Sequence, residues 1–330
     1  MRRTAATAVL LLLPVACGHG SGGATRPRRP ATSTTTASPA STTTIATIPP
    51  RGPTTTTAVP TPVTALVTAR GVVVPVLGRT PAGWLVDTPC SRRVTVAGGR
   101  PLQGVTVVLD PGHGGGESGA VGPNGLKESS LNLAVVGFTA QALQRAGVTV
   151  VTTRTGDYRE TLATRAEIVD NLRPRAFVSI HHNSEPDGPR AGPGTETYFQ
   201  IHSPESKRLA GLIYEEVVRA LSAYHVAWVA DFDAGAKWRP NDSGGDYYAV
   251  LRRTEGVTSA LAELAYISDA PEAALLARAD VQQAEGEAVA RGILRFLNTR
   301  DPGSGFVTPY PRTEPAGGGG GPEGCVDPPL

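Results

Sequence analysis

The chain has 330 residues, and the first acidic one is Asp87. Aromatic residues make up only 5% of the chain, and methionine occurs once. No apolar run reaches the length of about 20 residues that a membrane-spanning helix needs. The balance of 31 basic against 29 acidic residues lacks the strongly basic character of nucleic-acid-binding proteins, so nucleic acid is not an expected partner.

The N-terminus has the pattern of a bacterial export signal. Arg2 and Arg3 precede a short apolar run at residues 8–16, and small residues follow. Cys17 comes next, and residues 14–18 (PVACG) resemble the motif at which lipoproteins are cleaved and acylated, with Pro14 where leucine is usual. We therefore expect a signal peptide over residues 1–16 and an exported lipoprotein, attached to the membrane through acylated Cys17 and facing the cell wall. Cleavage with release from the cell is the alternative, and an uncleaved anchor or a buried helix is a further one.

Residues 17–62 are composed mainly of Thr, Ser, Pro, Ala and Gly. Apolar residues are too sparse there to offset the conformational entropy lost on folding. We expect a disordered tether, stiffened by its prolines. At the other end of the chain, residues 300–330 include five consecutive glycines at 317–321 and predict an irregular tail.

The three cysteines are an odd number for an exported protein. If Cys17 is acylated, Cys90 and Cys325 remain, and an oxidising compartment permits a disulfide between them. We therefore predict a Cys90–Cys325 disulfide that ties the tail to the region after the tether.

The part of the chain between the tether and the tail has two patterns. Residues 63–102 contain three short runs typical of β-strands, which predict a small β subdomain. In residues 103–299 strand-like and helix-like segments alternate, so we expect an α/β domain with a mostly parallel or mixed sheet and helices on both faces. The expected strands lie at 106–109, 148–153, 176–181, 196–200 and 259–264, and the helices at 129–146, 162–172, 205–220 and 281–297.

Candidate metal ligands follow the predicted strands. His113 comes after the first of them in the run DPGHGG, and His181 ends the third. Both should lie at the carboxyl edge of the sheet, where open α/β sheets bind ligands. Glu128 stands between them at the start of a predicted helix, and Glu117 is a second acidic candidate. Two histidines, one glutamate and an open position for water form a known catalytic zinc set, so we predict one Zn²⁺ per chain.

His182 is adjacent to His181 and must face the opposite side of a regular strand. We therefore interpret His182, and also Glu117, as residues outside the ligand set. Asp110 or a backbone carbonyl is our candidate for orienting a ligand imidazole.

The sequence is similar to the zinc-dependent N-acetylmuramoyl-L-alanine amidases often called the amidase 3 family. Several motifs carry this resemblance, in the order that the family has them. They are residues 108–115 (VLDPGHGG), 125–128 (GLKE), 131–134 (LNLA), 153–155 (TRT) with Leu162 and Arg165, 179–183 (SIHHN), 194–199 (GTETYF), 248–252 (YAVLR) and 261–268 (LAELAYIS).

The resemblance implies a peptidoglycan hydrolase that cleaves the amide between N-acetylmuramic acid and the L-alanine of the stem peptide. It implies that His113, Glu128 and His181 are the zinc ligands and that Glu263 is the catalytic glutamate. Two departures remove no functional group: residues 265–266 are Ala-Tyr where Gly-Phe is commoner, and His182 replaces a small residue. The flanks outside the family core and the Ala/Arg/Thr/Pro-rich composition imply an actinobacterial type.

Three alternatives remain open at this stage. A zinc peptidase acting within the stem peptide would use the same metal set. A non-catalytic wall-binding lipoprotein with this fold is a second possibility. For Glu263, which lies in the apolar run 261–267, the alternative is a structural salt bridge with Arg154, Arg252 or Arg253.

Overall fold

The computed structural model describes residues 62–312, 314–317 and 320–330. The predicted signal peptide, Cys17 and the tether up to residue 61 lie outside the described residues. Within the described ranges, no helix combines the length and the hydropathy needed to cross a bilayer.

Strands and helices alternate through most of the described chain. The strands are β1 (Ala65–Val67), β2 (Val73–Thr80), β3 (Gly83–Asp87), β4 (Arg93–Val96), β5 (Arg100–Pro101), β6 (Val107–Pro111), β7 (Val150–Thr152), β8 (Ala176–Asn183), β9 (Gly188–Arg190), β10 (Glu196–Phe199), β11 (Trp228–Ala230), β12 (Ala236–Lys237) and β13 (Ser259–Tyr266). The helices are α1 (Glu128–Arg145), α2 (Leu162–Leu172), α3 (Pro204–Leu221), α4 (Ala249–Arg253), α5 (Ala270–Leu276) and α6 (Ala279–Asn298).

The central sheet is mixed, as predicted. Its six strands lie in the order β12-β10-β13-β8-β6-β7. The β10–β13 pair is antiparallel, and the other neighbours are parallel. All five residues of β6 are buried, as expected for a strand covered on both faces. The carboxyl ends of β6, β8 and β13 therefore meet at one edge of the sheet.

Helices cover both faces of this sheet, which confirms the predicted fold class. On one face, α1, α3, α5 and α6 bury side chains such as Leu131, Ile213 and Ile293 against the strands. On the other face, α2 and α4 pack together with residues of β1 and β2. This second face carries the small β sheet, so that sheet shares a hydrophobic core with the central one.

Most predicted segments agree with the structure to within about two residues, and α2 has the predicted bounds. The side chain of Thr161 accepts a hydrogen bond from the Thr164 N–H and so caps this helix. Sequence analysis missed β9, β11, β12, α4 and α5. Each has only two to seven residues, too few to show a periodic pattern.

Residues 65–101 form a five-stranded antiparallel sheet in the order β4-β3-β2-β1-β5, whereas three runs had been recognised. The two additional strands are the short segments β1 and β5. Leu66, Val74 and Val86 form the small core on one side of this sheet.

The predicted disulfide between Cys90 and Cys325 is present, and both cysteines are buried. It joins positions 235 residues apart in the chain. Beside it, the Cys90 N–H donates to Asp327 Oδ1 at 2.8 Å, and Arg92 forms an ion pair with the same carboxylate at 2.9 Å. The end of the tail is thus fixed to the loop between β3 and β4.

Replacing both Cys90 and Cys325 by Ser should lower the free energy of unfolding by about 4 to 5 kcal/mol, because the unfolded chain regains the entropy of a very long loop. Urea unfolding of the oxidised wild type and of the double variant measures this difference. A difference below about 1 kcal/mol would contradict it and would mean that the Asp327 contacts alone hold the tail.

Candidate active site

His113 lies in a tight turn immediately after β6. Its φ of 60° is in the left-handed region, which is uncommon for a residue other than glycine. Gly112 precedes it and donates its N–H to the Ile180 carbonyl at 3.0 Å, which ties the turn to β8. The turn thus holds the imidazole of His113 at the carboxyl edge of the sheet.

Two buried arginines hold this turn. Arg165 donates to the carbonyls of Pro111 and His113, both at 2.8 Å. Arg154 donates to the carbonyls of Pro111 at 3.0 Å and Gly112 at 2.9 Å. Three consecutive carbonyls therefore accept hydrogen bonds from cationic side chains, which compensates for their burial.

Asp110 is the counter-charge of this arginine pair. Its carboxylate forms a buried ion pair with Arg165 and accepts hydrogen bonds from Thr153 at 2.6 Å and Ser179 at 2.7 Å. Burial raises the pKa of Asp110, but the Arg165 charge and these hydrogen bonds outweigh it, so the net shift is downward. The expectation that Asp110 orients a ligand imidazole is wrong, because its hydrogen bonds go to these three residues instead.

Glu128 is the first residue of α1, and its side chain is only 5% exposed. Its Oε2 accepts from the Ala120 N–H at 2.9 Å, and its Oε1 accepts from the His182 N–H and from Asn132 Nδ2, both at 3.2 Å. The carboxylate is therefore fixed in position by hydrogen bonds from three different segments.

The structure brings His113, Glu128 and His181 together. His113 Nε2 lies 3.2 Å from Glu128 Oε2, and His181 Nδ1 lies 3.0 Å from Glu128 Oε1. One potential ligand atom from each residue lies within 4.8 Å of the other two, so the group is able to hold a metal ion. Burial raises the pKa of Glu128, but the two imidazoles outweigh it and keep the pKa well below its usual value.

Two glycines make room for this group. A Cβ at Gly112 would lie 2.1 Å from Cε1 of His181. A Cβ at Gly119 would lie 2.3 Å from Glu128 Oε2 and 2.6 Å from Cδ2 of His113. Since no side chain fits at either position, the backbone is shaped around the three candidate ligands. Two imidazoles and one carboxylate in such a cradle fit a divalent transition-metal ion.

His182 points to the opposite side of β8, as the alternation of a regular strand predicts. Its Nδ1 lies 2.8 Å from Asn132 Oδ1, and its Nε2 lies 3.4 Å from Glu285 Oε1. His182 is thus part of a buried polar network behind Glu128.

Glu117 is half-exposed and lies beside the candidate ligands. Its carboxylate is 3.5 Å from Nδ1 of His113 and forms an ion pair with Arg159 at 2.9 Å. Burial lowers the pKa of His113, but the two carboxylates of Glu117 and Glu128 outweigh it and raise this pKa to about 9. Glu117 therefore contacts the ring nitrogen of His113 that faces away from Glu128.

Glu263 lies next to His181, because the two residues are paired in the β13–β8 register. Paired residues on neighbouring strands point to the same face, so both side chains face the same cavity. Burial, and then the negative charges of Glu128 and Glu196, raise the pKa of Glu263 well above its usual value.

No ion pair of Glu263 occurs among the described residues, and its Oε2 has no hydrogen-bond partner there. Of the three arginines proposed for a structural salt bridge, two bind elsewhere and the third, Arg253, is exposed. Arg154 is occupied by the turn at His113, and Arg252 donates to the carbonyls of Asp246 and Tyr247. The salt-bridge alternative therefore has no support in the described part of the chain.

The cavity at this edge of the sheet has a volume of about 310 Å³. His113, His181 and Glu263 line it on the side of the sheet, and Glu160, Leu162 and Tyr247 are among the residues lining other parts. It is therefore a pocket in which a metal ion and a carboxylate would face the same bound group.

The family profile described as N-acetylmuramoyl-L-alanine amidase matches residues 107–295. This range includes the three candidate ligands and Glu263. The chain belongs to this amidase family. The uncharacterised protein YqiI of Bacillus subtilis is 35% identical over 211 residues, which are 63% of this chain and 90% of YqiI. The germination-specific N-acetylmuramoyl-L-alanine amidase of Bacillus subtilis is 27% identical over 214 residues, 61% of this chain and 83% of that protein.

The fold of the amidase also agrees with a solved structure. The catalytic domain of CwlV, an N-acetylmuramoyl-L-alanine amidase from Bacillus (Paenibacillus) polymyxa, has 31% sequence identity and a TM-score of 0.50. The match covers 59% of this chain and 99% of that domain. The small β sheet and the tail of the amidase lie outside the residues matched by the family profile.

A second group of the amidase consists of three carboxylates, those of Glu196, Asp231 and Asp233, which lie close enough together to hold a metal ion. Lys237 lies 3.1 Å from Glu196 and 2.6 Å from Asp233, and Arg312 lies 2.8 Å from Asp231. These cations already compensate the carboxylates, so we assign no metal to this group.

Sequence analysis named Arg154 only as a possible salt-bridge partner of Glu263, and it assigned no role in the amidase to Arg165, Gly112 or Gly119. The two arginines stand in family motifs, but nothing in their spacing shows that they are buried or that they bind the turn at His113. The close approach of the glycines to side chains far along the chain has no local signal either.

Gly119→Ala should lower the affinity of the amidase for a divalent metal ion at least about tenfold, because its Cβ would displace Glu128 and His113. Gly125→Ala is the matched control: both glycines have positive φ, +66° and +81°, but a Cβ at Gly125 meets nothing within 4 Å. Competition with a chromophoric chelator measures both affinities. Equal losses in the two variants would show that backbone strain, rather than the cradle, determines the affinity.

Proposed function

We propose that this amidase hydrolyses the amide between N-acetylmuramic acid and L-alanine in peptidoglycan with one zinc ion held by His113, Glu128 and His181. The observation that carries the proposal is the position of Glu263, which lines the same cavity as His113 and His181. Glu128 lies within ligand distance of these two histidines. The family membership of the chain supports the choice of substrate.

The ligand chemistry favours zinc over calcium and magnesium. Two imidazoles with one carboxylate are a set found in catalytic zinc sites, whereas calcium and magnesium prefer oxygen ligands. When bound, zinc lowers the pKa of a coordinated water to about 7 and polarises a carbonyl group.

Glu263 supplies the proton transfers in this proposal. Hydrolysis of an amide requires that a proton leaves the attacking water and that the departing amine gains one. A single carboxylate beside the reacting group performs both transfers, first as the base and then as the acid. Burial raises the pKa of Glu263, and a higher pKa makes its carboxylate a stronger base for the first of these transfers.

Product analysis tests the activity. Digestion of purified muropeptides with the full-length protein should release stem peptides that begin with a free L-alanine amino group, as mass spectrometry detects. New amino termini within the stem peptide would instead identify a zinc peptidase. Binding to peptidoglycan without any product would support the non-catalytic alternative.

Glu263→Ala should reduce turnover at least about a hundredfold, because general acid-base assistance is lost, while zinc stays bound. Turnover on muropeptides and zinc content by metal analysis are measured on the same preparation. Glu263→Gln, which keeps the size of the side chain, should show the same loss. If zinc disappears together with activity, Glu263 is a ligand, and if turnover is near normal, the proposed role is wrong.

We also propose that the protein is exported and held in the cell envelope by an acylated Cys17, with residues 17–62 as a tether toward the wall. The motif at residues 14–18 supports this proposal. Cys17→Ala should abolish recovery in the membrane fraction, and unchanged recovery would point to another anchor.

We also propose that the protein is of actinobacterial type. Two observations support this proposal: the composition of the chain, and the flanks outside the matched residues 107–295.

A further inference from the structure

The C-terminal tail lines the same cavity as the candidate catalytic residues. Gly317 and Gly320 both contribute to its lining, together with His113 and Glu263. We use the term strap for residues 314–317 and 320–325 of the tail. The strap lies outside the residues 107–295 that match the amidase family.

On one side of the cavity the strap is bound to the segment before α4. The Gly317 N–H donates to the Tyr247 carbonyl at 2.9 Å, and Tyr247 itself lines the cavity. Two further contacts hold Glu314: an ion pair with Arg239, and a hydrogen bond from the Asp242 N–H to its carbonyl at 3.0 Å. The strap is thus fastened before it reaches the cavity.

On the other side the strap is bound to the start of α2 and to the small sheet. The Leu162 N–H donates to the Gly320 carbonyl at 3.0 Å, and Leu162 also lines the cavity. Arg159 donates to the Glu323 carbonyl at 2.6 Å, and the disulfide with Cys90 follows at Cys325. Both described parts of the strap, residues 314–317 and 320–325, are therefore fastened beside the cavity.

The strap lies so close to α2 that only glycine fits at position 320. A Cβ there would lie 2.5 Å from Cγ of Leu162, and the φ of Gly320 is +64°. Farther along, Gly324 has a similar φ of +67°, but a Cβ would meet nothing within 4 Å. Close packing is therefore a property of the part of the strap that lines the cavity.

We propose that the strap is a specificity-determining wall of the substrate site, which admits small uncross-linked muropeptides and excludes stem peptides that are cross-linked within intact peptidoglycan. Gly317 and Gly320 line the cavity, and each is held by a backbone hydrogen bond, so a substrate must fit beside backbone that is fixed in place. A single stem peptide has a smaller cross-section there than a stem peptide cross-linked to its neighbour. A cavity of about 310 Å³ also has little room for a second peptide beside the first. This inference rests on the proposed amidase function.

The test compares turnover on two substrates, a soluble disaccharide-tripeptide and purified cross-linked sacculi, for the wild type, two full-length variants and one shortened variant. Gly320→Ala forces the strap away from Leu162 and should raise the ratio of sacculus turnover to soluble turnover severalfold. Gly324→Ala is the matched control, with the same backbone strain and no new contact, and should leave the ratio unchanged. Cys90→Ser in a chain that ends at Arg312 lacks the strap and should raise the ratio about tenfold, as expected for removal of a barrier to access.

Several outcomes overturn the proposal. An unchanged ratio in both strap variants shows that the strap does not select substrates. A parallel rise on both substrates makes it a general cover rather than a selector, and a parallel fall makes it a purely structural element. If thermal unfolding shows that the shortened chain is not folded, the glycine pair decides alone. Wild-type turnover on the soluble substrate tests the amidase function separately, so the two proposals fail in different ways.

Discussion

The site depends on one electrostatic constraint, the burial of Arg154 and Arg165 against the turn that carries His113. Burying a guanidinium group costs several kcal/mol unless it is paired and hydrogen-bonded. Here Asp110 supplies the opposite charge, and the carbonyls of the turn supply the acceptors. The same contacts keep His113 in a left-handed conformation, which costs about 1 to 3 kcal/mol and persists only where the surroundings enforce it. The position of the first candidate ligand is therefore set by buried charges on three other parts of the chain.

Behind the candidate ligands, a polar network connects the two faces of the sheet. The side-chain amide of Asn132 donates its N–H to Glu128, and its Oδ1 lies within hydrogen-bond distance of the His182 ring. The ring in turn approaches Glu285 on α6. Through these contacts the packing of α1 and α6 fixes the orientation of the Glu128 carboxylate, which contacts His113 and His181. His181 and His182 thus belong to different polar groups, because adjacent residues of a strand point to opposite faces of the sheet.

The central sheet and its helices were predictable from the sequence, because long segments with clear apolar periodicity leave few alternatives. Reasoning about strand ends also predicted that His113 and His181 lie near each other, with Glu128 between them in the chain. The pairing of Glu263 with His181 was not predictable in this way: β13 lies about 80 residues after β8, and only the family resemblance pointed to that glutamate. The roles of Arg154 and Arg165, and the path of the tail, depend on hydrogen bonds to backbone carbonyls, which leave no periodic trace in a sequence. The two shortest strands of the small sheet were missed for a related reason, since two or three residues carry no pattern.

Because β13 is the last strand of the chain, the candidate site is completed late in synthesis. This strand is made late, yet it lies inside the central sheet between β10 and β8. A nascent or clipped chain that ends before residue 259 has His113, Glu128 and His181 but contains neither a continuous sheet nor Glu263. During synthesis, the group able to hold a metal is therefore complete at residue 181, whereas the carboxylate beside it is added only at residue 263.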